Sequence, residues 1–219
     1  MVSYPAMAPA AAALSILALV AGYGALHSLL ASAPAKRTAR RWFGDVGDRA
    51  YRLVYNLLGA LTFLPVVAVL AAEPGLRLYA VPAPFSWLML AGQAVAALVV
   101  LVGLVQTDLW HFLGLRQLVE RPARGPGRLV TTGLYRYVRH PLYSAGLVFL
   151  WLTPVMTTSL LAAFLGLSAY LYLGSVFEER RLRQEFGQAY ADYQRRVPRL
   201  IPRLRIRGGA SATSQPPAR

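Results

Sequence analysis

Four segments of this chain, 6–31, 53–72, 83–106 and 141–177, contain no charged side chain, and they decide what it can fold into. Roughly 20 apolar residues wound as a helix cross the hydrocarbon core of a bilayer. No water there satisfies a bare peptide group, so such segments must close their backbone hydrogen bonds internally, as helices do. The first three segments each supply one crossing. The fourth is long enough for two and is interrupted at 153–159 (TPVMTTS), where a proline and small hydroxyl residues suit a turn. The chain therefore reads as an all-α, polytopic integral membrane protein. It has about five transmembrane helices, near 6–31, 53–72, 83–106, 141–154 and 159–177. A mean hydropathy of +0.44, with 56% hydrophobic and 15% charged residues, agrees with that class. Residues 1–207 form one domain; the closing GGASATSQPPAR, 208–219, has the composition of a disordered tail.

The charges orient the bundle. Lys36, Arg37, Arg40, Arg41, Arg49 and Arg52 follow the first span, and Arg116, Arg121, Arg124, Arg128, Arg136 and Arg139 follow the third. A further run of arginines from Arg180 to Arg219 follows the fifth, which leaves Arg77 alone in the opposite loops. By the positive-inside rule the amino terminus lies outside an inner membrane and the carboxyl terminus in the cytoplasm. A formal charge of +14 gathered on one face calls for anionic membrane lipid as its partner and needs no nucleic acid. The first segment does not read as a cleavable signal peptide, since it lacks a basic leader and Ala33 is followed by Pro34. With no cysteine, and with His27, His111 and His140 in separate segments, no metal site is expected. The sequence carries no signal for oligomeric state.

One polar run cannot be put down to anchoring. At 129–146 the chain reads LVTTGLYRYVRHPLYSAG, so Tyr135, Arg136, Tyr137, Arg139 and His140 crowd the mouth of an apolar segment. Ionisable groups at that depth are costly unless they are satisfied or used. Headgroup anchoring accounts for Arg136 and Arg139 but not for His140-Pro141 followed by Tyr143 and Gly146. Beyond the last span, Leu182, Phe186, Tyr190 and Tyr193 recur at helical spacing, with arginines and glutamines on the other faces. That is an amphipathic helix able to lie on the membrane or fold back over the bundle, ended by Pro198. Glu178 and Glu179 stand at the junction. An acidic pair complements a free helix N-terminus, but a helix running through the junction offers none.

These blocks resemble the isoprenylcysteine carboxyl methyltransferase and phospholipid methyltransferase superfamily. Its pattern is RHPxYxG, about two helices, then EE and an FGxxYxxYxxxVP ending. Here Gly146 comes three residues after Tyr143, one later than in the pattern, while 178–198 (EERRLRQEFGQAYADYQRRVP) follows it. The amino-terminal half, with ALHSLLASAPAKR, YRLVYNLLGALTFLPV and QTDLWHFLGLRQL, resembles NnrU-type bacterial membrane proteins.

The resemblance implies an S-adenosyl-L-methionine-dependent methyltransferase whose cofactor pocket is covered by the carboxyl-terminal amphipathic helix. It implies that Arg139 or His140 holds the cofactor carboxylate and that Glu178 or Glu179 accepts from its ammonium or ribose. Tyr135 and Tyr143 would pack the adenine or face the sulfonium, with Gly133 and the backbone of Leu129 and Val130 cradling the base. Arg196 matches the family arginine near the acceptor and, with Arg139, is the candidate catalytic residue; it serves equally as a headgroup anchor. The acceptor is a lipophilic or small molecule arriving from the bilayer, its identity open among thiols, carboxylates and lipids. Two alternatives stand beside this. Sterol-type reductases share part of the pattern and bind NADPH, but usually carry asparagine after the RHP triplet and an arginine-aspartate pair in place of Glu178-Glu179. A non-catalytic NnrU-like accessory or transport protein would use His27, Asn56, Gln93, Gln106 and Asp108 to line a polar path, although such residues more commonly tie helices together.

Overall fold

The computed structural model describes residues 7–120 and 129–202. In chain order it forms α1 (Pro9–Ala31), α2 (Ala33–Ala72), β1 (Arg77–Ala80), α3 (Phe85–Gln106), α4 (Leu109–Leu113) and α5 (Arg116–Val119). A 3-10 turn (Gly133–Arg136), α6 (Pro141–Trp151), β2 (Val155–Thr157) and α7 (Thr158–Arg196) complete it. The tail expected at 208–219 lies outside the described residues.

Four helices, α1, α2, α3 and α7, are long and apolar enough to cross a membrane. The fourth span expected from the sequence is shorter than that. α6 has 11 residues, about 16 Å of helix, against a core roughly 30 Å thick. It stops at Trp151 because 153–157 leaves the helix for a strand. β2 pairs antiparallel with β1, Tyr79 opposite Met156 and Ala80 opposite Val155. The expected turn is therefore half of a two-stranded ribbon, extended by bonds from Val81 to the Pro154 carbonyl (2.9 Å) and from Thr158 to that of Leu76 (2.9 Å). No periodicity in four residues could announce it.

Two helices run on past their apolar stretches. α2 begins at the Ser32 cap, so most of the stretch expected as a loop at 32–52 is helical, and it bends at Gly44 (φ 56°). α7 passes through Glu178-Glu179 without a break and bends at Gly187 (φ 54°, ψ −124°), a backbone conformation open to glycine and few other residues. The bend turns the last part of α7 back on the bundle, burying Tyr190 and Tyr193. Val197, extended ahead of Pro198, ends it.

The core lies where α1, α2 and α7 meet. Ile16 and Val20 pack with Val66 and with Ala162, Ala163 and Phe164, closed at one end by Met156. The polar residues within the spans mostly join helices. Asn56 donates to the Phe112 and Leu113 carbonyls, Gln93 to that of Phe149, and Gln106 accepts from the Leu134 amide. Asp108 caps α4 by accepting from the His111 amide at 3.0 Å and pairs with Arg116. These bonds engage Asn56, Gln93, Gln106 and Asp108, four of the five residues that a polar path would use.

Candidate active site

The site is assembled where the chain enters α6. Pro141 occupies the first turn, where its missing N–H is no loss, and fixes His140 just ahead of the helix. The segment after α7 then runs alongside. The Arg139 amide donates to the Pro198 carbonyl (2.9 Å), the His140 amide to that of Arg199 (3.1 Å), and the Ser144 hydroxyl to that of Leu200 (2.6 Å). Two stretches nearly 60 residues apart, about one helical hairpin, are thus laced together by backbone.

Beneath this seam lies a buried ionic cluster centred on Glu179, which is 5% exposed. Arg139 reaches it at 2.7 Å and spends its other guanidinium edge on the Gln194 carbonyl (3.1 Å) and that of Val197. Arg199 (2.9 Å), the Gln194 amide (3.0 Å) and His140 Nε2 (3.3 Å) also contact the carboxylate. A buried carboxylate is tolerable only when several donors surround it. Glu179 itself holds the Arg199 guanidinium above its ordinary pKa by accepting its hydrogen bond.

Glu178, one residue earlier, faces a cavity of about 280 Å³ instead. It accepts from the Tyr143 hydroxyl at 3.0 Å and lies 3.6 Å from His140 Nδ1, with the Tyr143 and His140 rings stacked at 5.4 Å. The cavity is lined by Arg52 of α2, Thr107, Phe112, Leu129, Val130 and Tyr135, by 139–143, and by Leu182, Phe186, Tyr190 and Tyr193 of α7. The Tyr193 hydroxyl donates to the Tyr135 carbonyl at 2.6 Å, tying α7 to the turn before α6. Burial, with Glu178 nearby, pushes the Tyr135 phenol up to about 12, so it stays neutral at physiological pH. The Tyr190 side chain, 1% exposed, lines the cavity and carries a buried hydroxyl that lies beside the Arg139 guanidinium without a well-formed hydrogen bond. A donor so placed suits a ligand acceptor.

Of the residues singled out in the sequence, Leu129, Val130, Tyr135, Arg139, His140, Tyr143 and Glu178 surround this cavity. Three stand apart from it. Gly133 (φ 61°) instead packs against the Gln106 amide, where a β-carbon would come within 2.8 Å. Glu179 is consumed by the cluster, and so is the Arg139 guanidinium, which leaves Arg139 no free edge for a ligand carboxylate. Arg196 is exposed at the end of α7, its Nε donating to the Asp192 carbonyl (3.3 Å). The sequence pattern had placed Leu182, Phe186, Tyr190 and Tyr193 on one apolar face without showing that this face is a cavity wall. Arg52 and Phe112 lie in blocks that carried the NnrU resemblance but had no assigned place at the site, since both reach it by the way helices cross.

The sequence model of the NnrU protein family matches residues 15–210. Methanethiol S-methyltransferase 2 of Bradyrhizobium diazoefficiens is 33% identical over 199 residues, 86% of this chain and 72% of that protein. The methanethiol S-methyltransferase of Pseudomonas deceptionensis is 29% identical over 202 residues, 88% of this chain and 73% of its own. Protein-S-isoprenylcysteine O-methyltransferase B of Arabidopsis thaliana is 35% identical over 78 residues, 34% of this chain and 40% of its own. No solved structure matches the chain.

Proposed function

The chain belongs to the NnrU protein family, and from that premise we propose that this membrane methyltransferase moves a methyl group from S-adenosyl-L-methionine to a small thiol. The observation that carries the reading is the cavity at the junction of apolar span and surface helix, with Glu178, His140 and four tyrosines around it. Relatives that align with most of this chain and act on methanethiol support the choice of acceptor. They also stand against the reductase alternative.

The residues present fit the cofactor. When bound, it supplies a methyl group made electrophilic by a sulfonium. The Tyr190 hydroxyl offers a buried donor to a carboxylate or ribose oxygen, a role the spent Arg139 does not fill. Glu178 accepts from an ammonium or a hydroxyl, and the rings of Tyr135 and Tyr143 pack against the base or the cationic sulfur. The Leu129 and Val130 backbone lines the same wall. A volume of about 280 Å³ lies at the lower edge of the roughly 300–1,000 Å³ usual for small-molecule sites.

Transfer is an in-line displacement that needs position and the exclusion of water more than any covalent partner. Leu142, Leu182 and Phe186 keep the cavity wall apolar, which suits a small lipophilic acceptor arriving through the bilayer. The amino-terminal part of α2, the stretch between α3 and α6, and the chain from Arg180 onward carry most of the basic residues. We place them in the cytoplasm, with the amino terminus outside the inner membrane.

Incubating the purified protein with methyl-labelled S-adenosyl-L-methionine and methanethiol, then sampling the headspace, tests the proposal. Labelled dimethyl sulfide is expected. Calorimetry showing NADPH bound and S-adenosyl-L-methionine ignored would overturn it.

A further inference from the structure

Methylating a thiol releases a proton, and the carboxylates at the site, Glu178 and Glu179, already hold Tyr143 and Arg139 as hydrogen-bond partners. A second polar cluster lies one step deeper. On α2, Tyr55 is three residues beyond cavity-lining Arg52, so it shares that face about 4.5 Å further into the bundle. On α7, Tyr170, Gly174 and Glu178 lie four residues apart along one face. A β-carbon at Gly174 would touch the Tyr143 hydroxyl at 3.9 Å. From α1, His27 reaches between these faces and hydrogen-bonds the Tyr55 hydroxyl through Nε2.

The surroundings of His27 are aromatic. Its ring stacks on Tyr23 (5.3 Å, 23°), tilts against Tyr55 (4.4 Å) and meets Tyr170 edge-on (6.3 Å, 74°). Gly59 of α2 allows the approach, since a β-carbon there would come within 2.9 Å of Cε1. His27 Nδ1 is buried and has no hydrogen-bond partner among the described residues. The titratable and charged groups facing the pair among the described residues are Tyr23 on α1, Tyr51 and Arg52 on α2, Tyr143 on α6, and Tyr170 and Arg181 on α7. An ionisable residue placed inside a span and packed among aromatic rings is more than a tie between helices requires.

We propose that Tyr55 and His27 form a proton relay for the thiol acceptor, an inference that rests on the thiol reading above. The acceptor S–H bond breaks and its proton passes to the Tyr55 oxygen. The Tyr55 O–H proton moves at the same time to His27 Nε2, leaving an imidazolium among the tyrosine faces. The freed sulfur pair forms the new S–CH3 bond as the methyl carbon parts from the donor sulfonium, which leaves as a neutral thioether. The relay requires the acceptor thiol to sit at the inner end of the cavity, where Tyr55 follows cavity-lining Arg52 on α2; His27 acts through Tyr55 as a positioning residue. After the product leaves, the proton returns by the same hydroxyl.

The test compares two acceptors at pH 7, an alkanethiol that is largely protonated and an aromatic thiol already ionised. Tyr55→Phe keeps the ring packing and removes only the relay, and His27→Gln removes the base. Both should lower turnover of the alkanethiol by roughly a hundredfold, the usual scale of a positioned base. Both should leave the aromatic thiol within about threefold of the unaltered protein, and raising the pH should restore the alkanethiol rate. Tyr51→Phe, which breaks a neighbouring bond to the Leu30 carbonyl, should change neither rate. Calorimetric binding of S-adenosyl-L-methionine should be the same in all variants, which separates relay loss from misfolding. Equal loss on both thiols, or loss that pH does not repair, overturns the relay while leaving the thiol reading intact. Failure of the unaltered protein to methylate either thiol overturns both.

Discussion

Arg139 and Glu179 meet at 2.7 Å with their side chains only 10% and 6% exposed, the least exposed arginine–carboxylate pair among the described residues. Arg139 belongs to the segment entering α6 and Glu179 to α7. The contact therefore clamps the two blocks that build the cavity, and its role is to shape the site rather than to bind a ligand.

Breaking that pair on one side should be costly. Arg139→Ala leaves Glu179 buried with fewer donors, and about 3–5 kcal/mol of stability should be lost. Replacing both partners with apolar residues of similar volume, Arg139→Met with Glu179→Leu, should restore much of it. Denaturant unfolding in detergent, followed by tryptophan fluorescence, distinguishes the two. Equal losses in the single and double variants would mean that the cluster acts through packing alone.

Tyr190→Phe should separate stability from binding. The hydroxyl is buried beside the Arg139 guanidinium without a well-formed hydrogen bond, so its removal should leave the ligand-free protein about as stable. If the hydroxyl donates to the cofactor, affinity for S-adenosyl-L-methionine should fall by about 0.5–1.5 kcal/mol, roughly threefold to tenfold. Melting curves with and without cofactor read both effects in one preparation. Unchanged affinity would remove Tyr190 from the binding set.

At Gly187 the cost of a side chain is conformational. Nothing lies within 4 Å of a β-carbon built there, yet φ is 54°. Gly187→Ala should cost about 1–3 kcal/mol through backbone strain alone. It should also weaken cofactor binding, since the bend is what returns Tyr190 and Tyr193 to the cavity. Calorimetry on the purified variant checks this; native affinity would show that the bend survives without glycine.

Arg196→Ala should leave cofactor binding and turnover within about twofold of the unaltered protein, the scale of a surface change. The side chain is exposed and its Nε is turned to the Asp192 carbonyl. A tenfold or larger fall in turnover at constant cofactor affinity would restore the acceptor role that the resemblance assigned to it.

The orientation is open to direct labelling, because the chain has no cysteine. Cysteines placed singly at exposed Arg41 and Arg77 should react with a membrane-impermeant reagent from opposite sides. Reaction of both from one side would overturn the proposed topology.

Much of the architecture was readable because hydropathy and charge act locally. A charge-free run of 20 residues such as 53–72 meets the same bilayer whatever its neighbours do. The spacing of Leu182, Phe186, Tyr190 and Tyr193 likewise determined an amphipathic helix, and the 129–146 block marked one side of the site. The sequence by itself thus determined the membrane class, the helical spans and the neighbourhood of the chemistry. Tertiary structure alone decided the rest. Adjacent Glu178 and Glu179 are alike in sequence, yet successive positions on a helix point about 100° apart. One therefore meets Arg139 and Arg199 while the other meets the cavity. Arg139 and Arg196 looked equally available until the crossing of α6 and α7 buried the first against Glu179 and left the second outside. Arg52, Tyr55 and His27 come together because α1, α2 and α7 pack side by side, and no pattern along the chain encodes which faces touch.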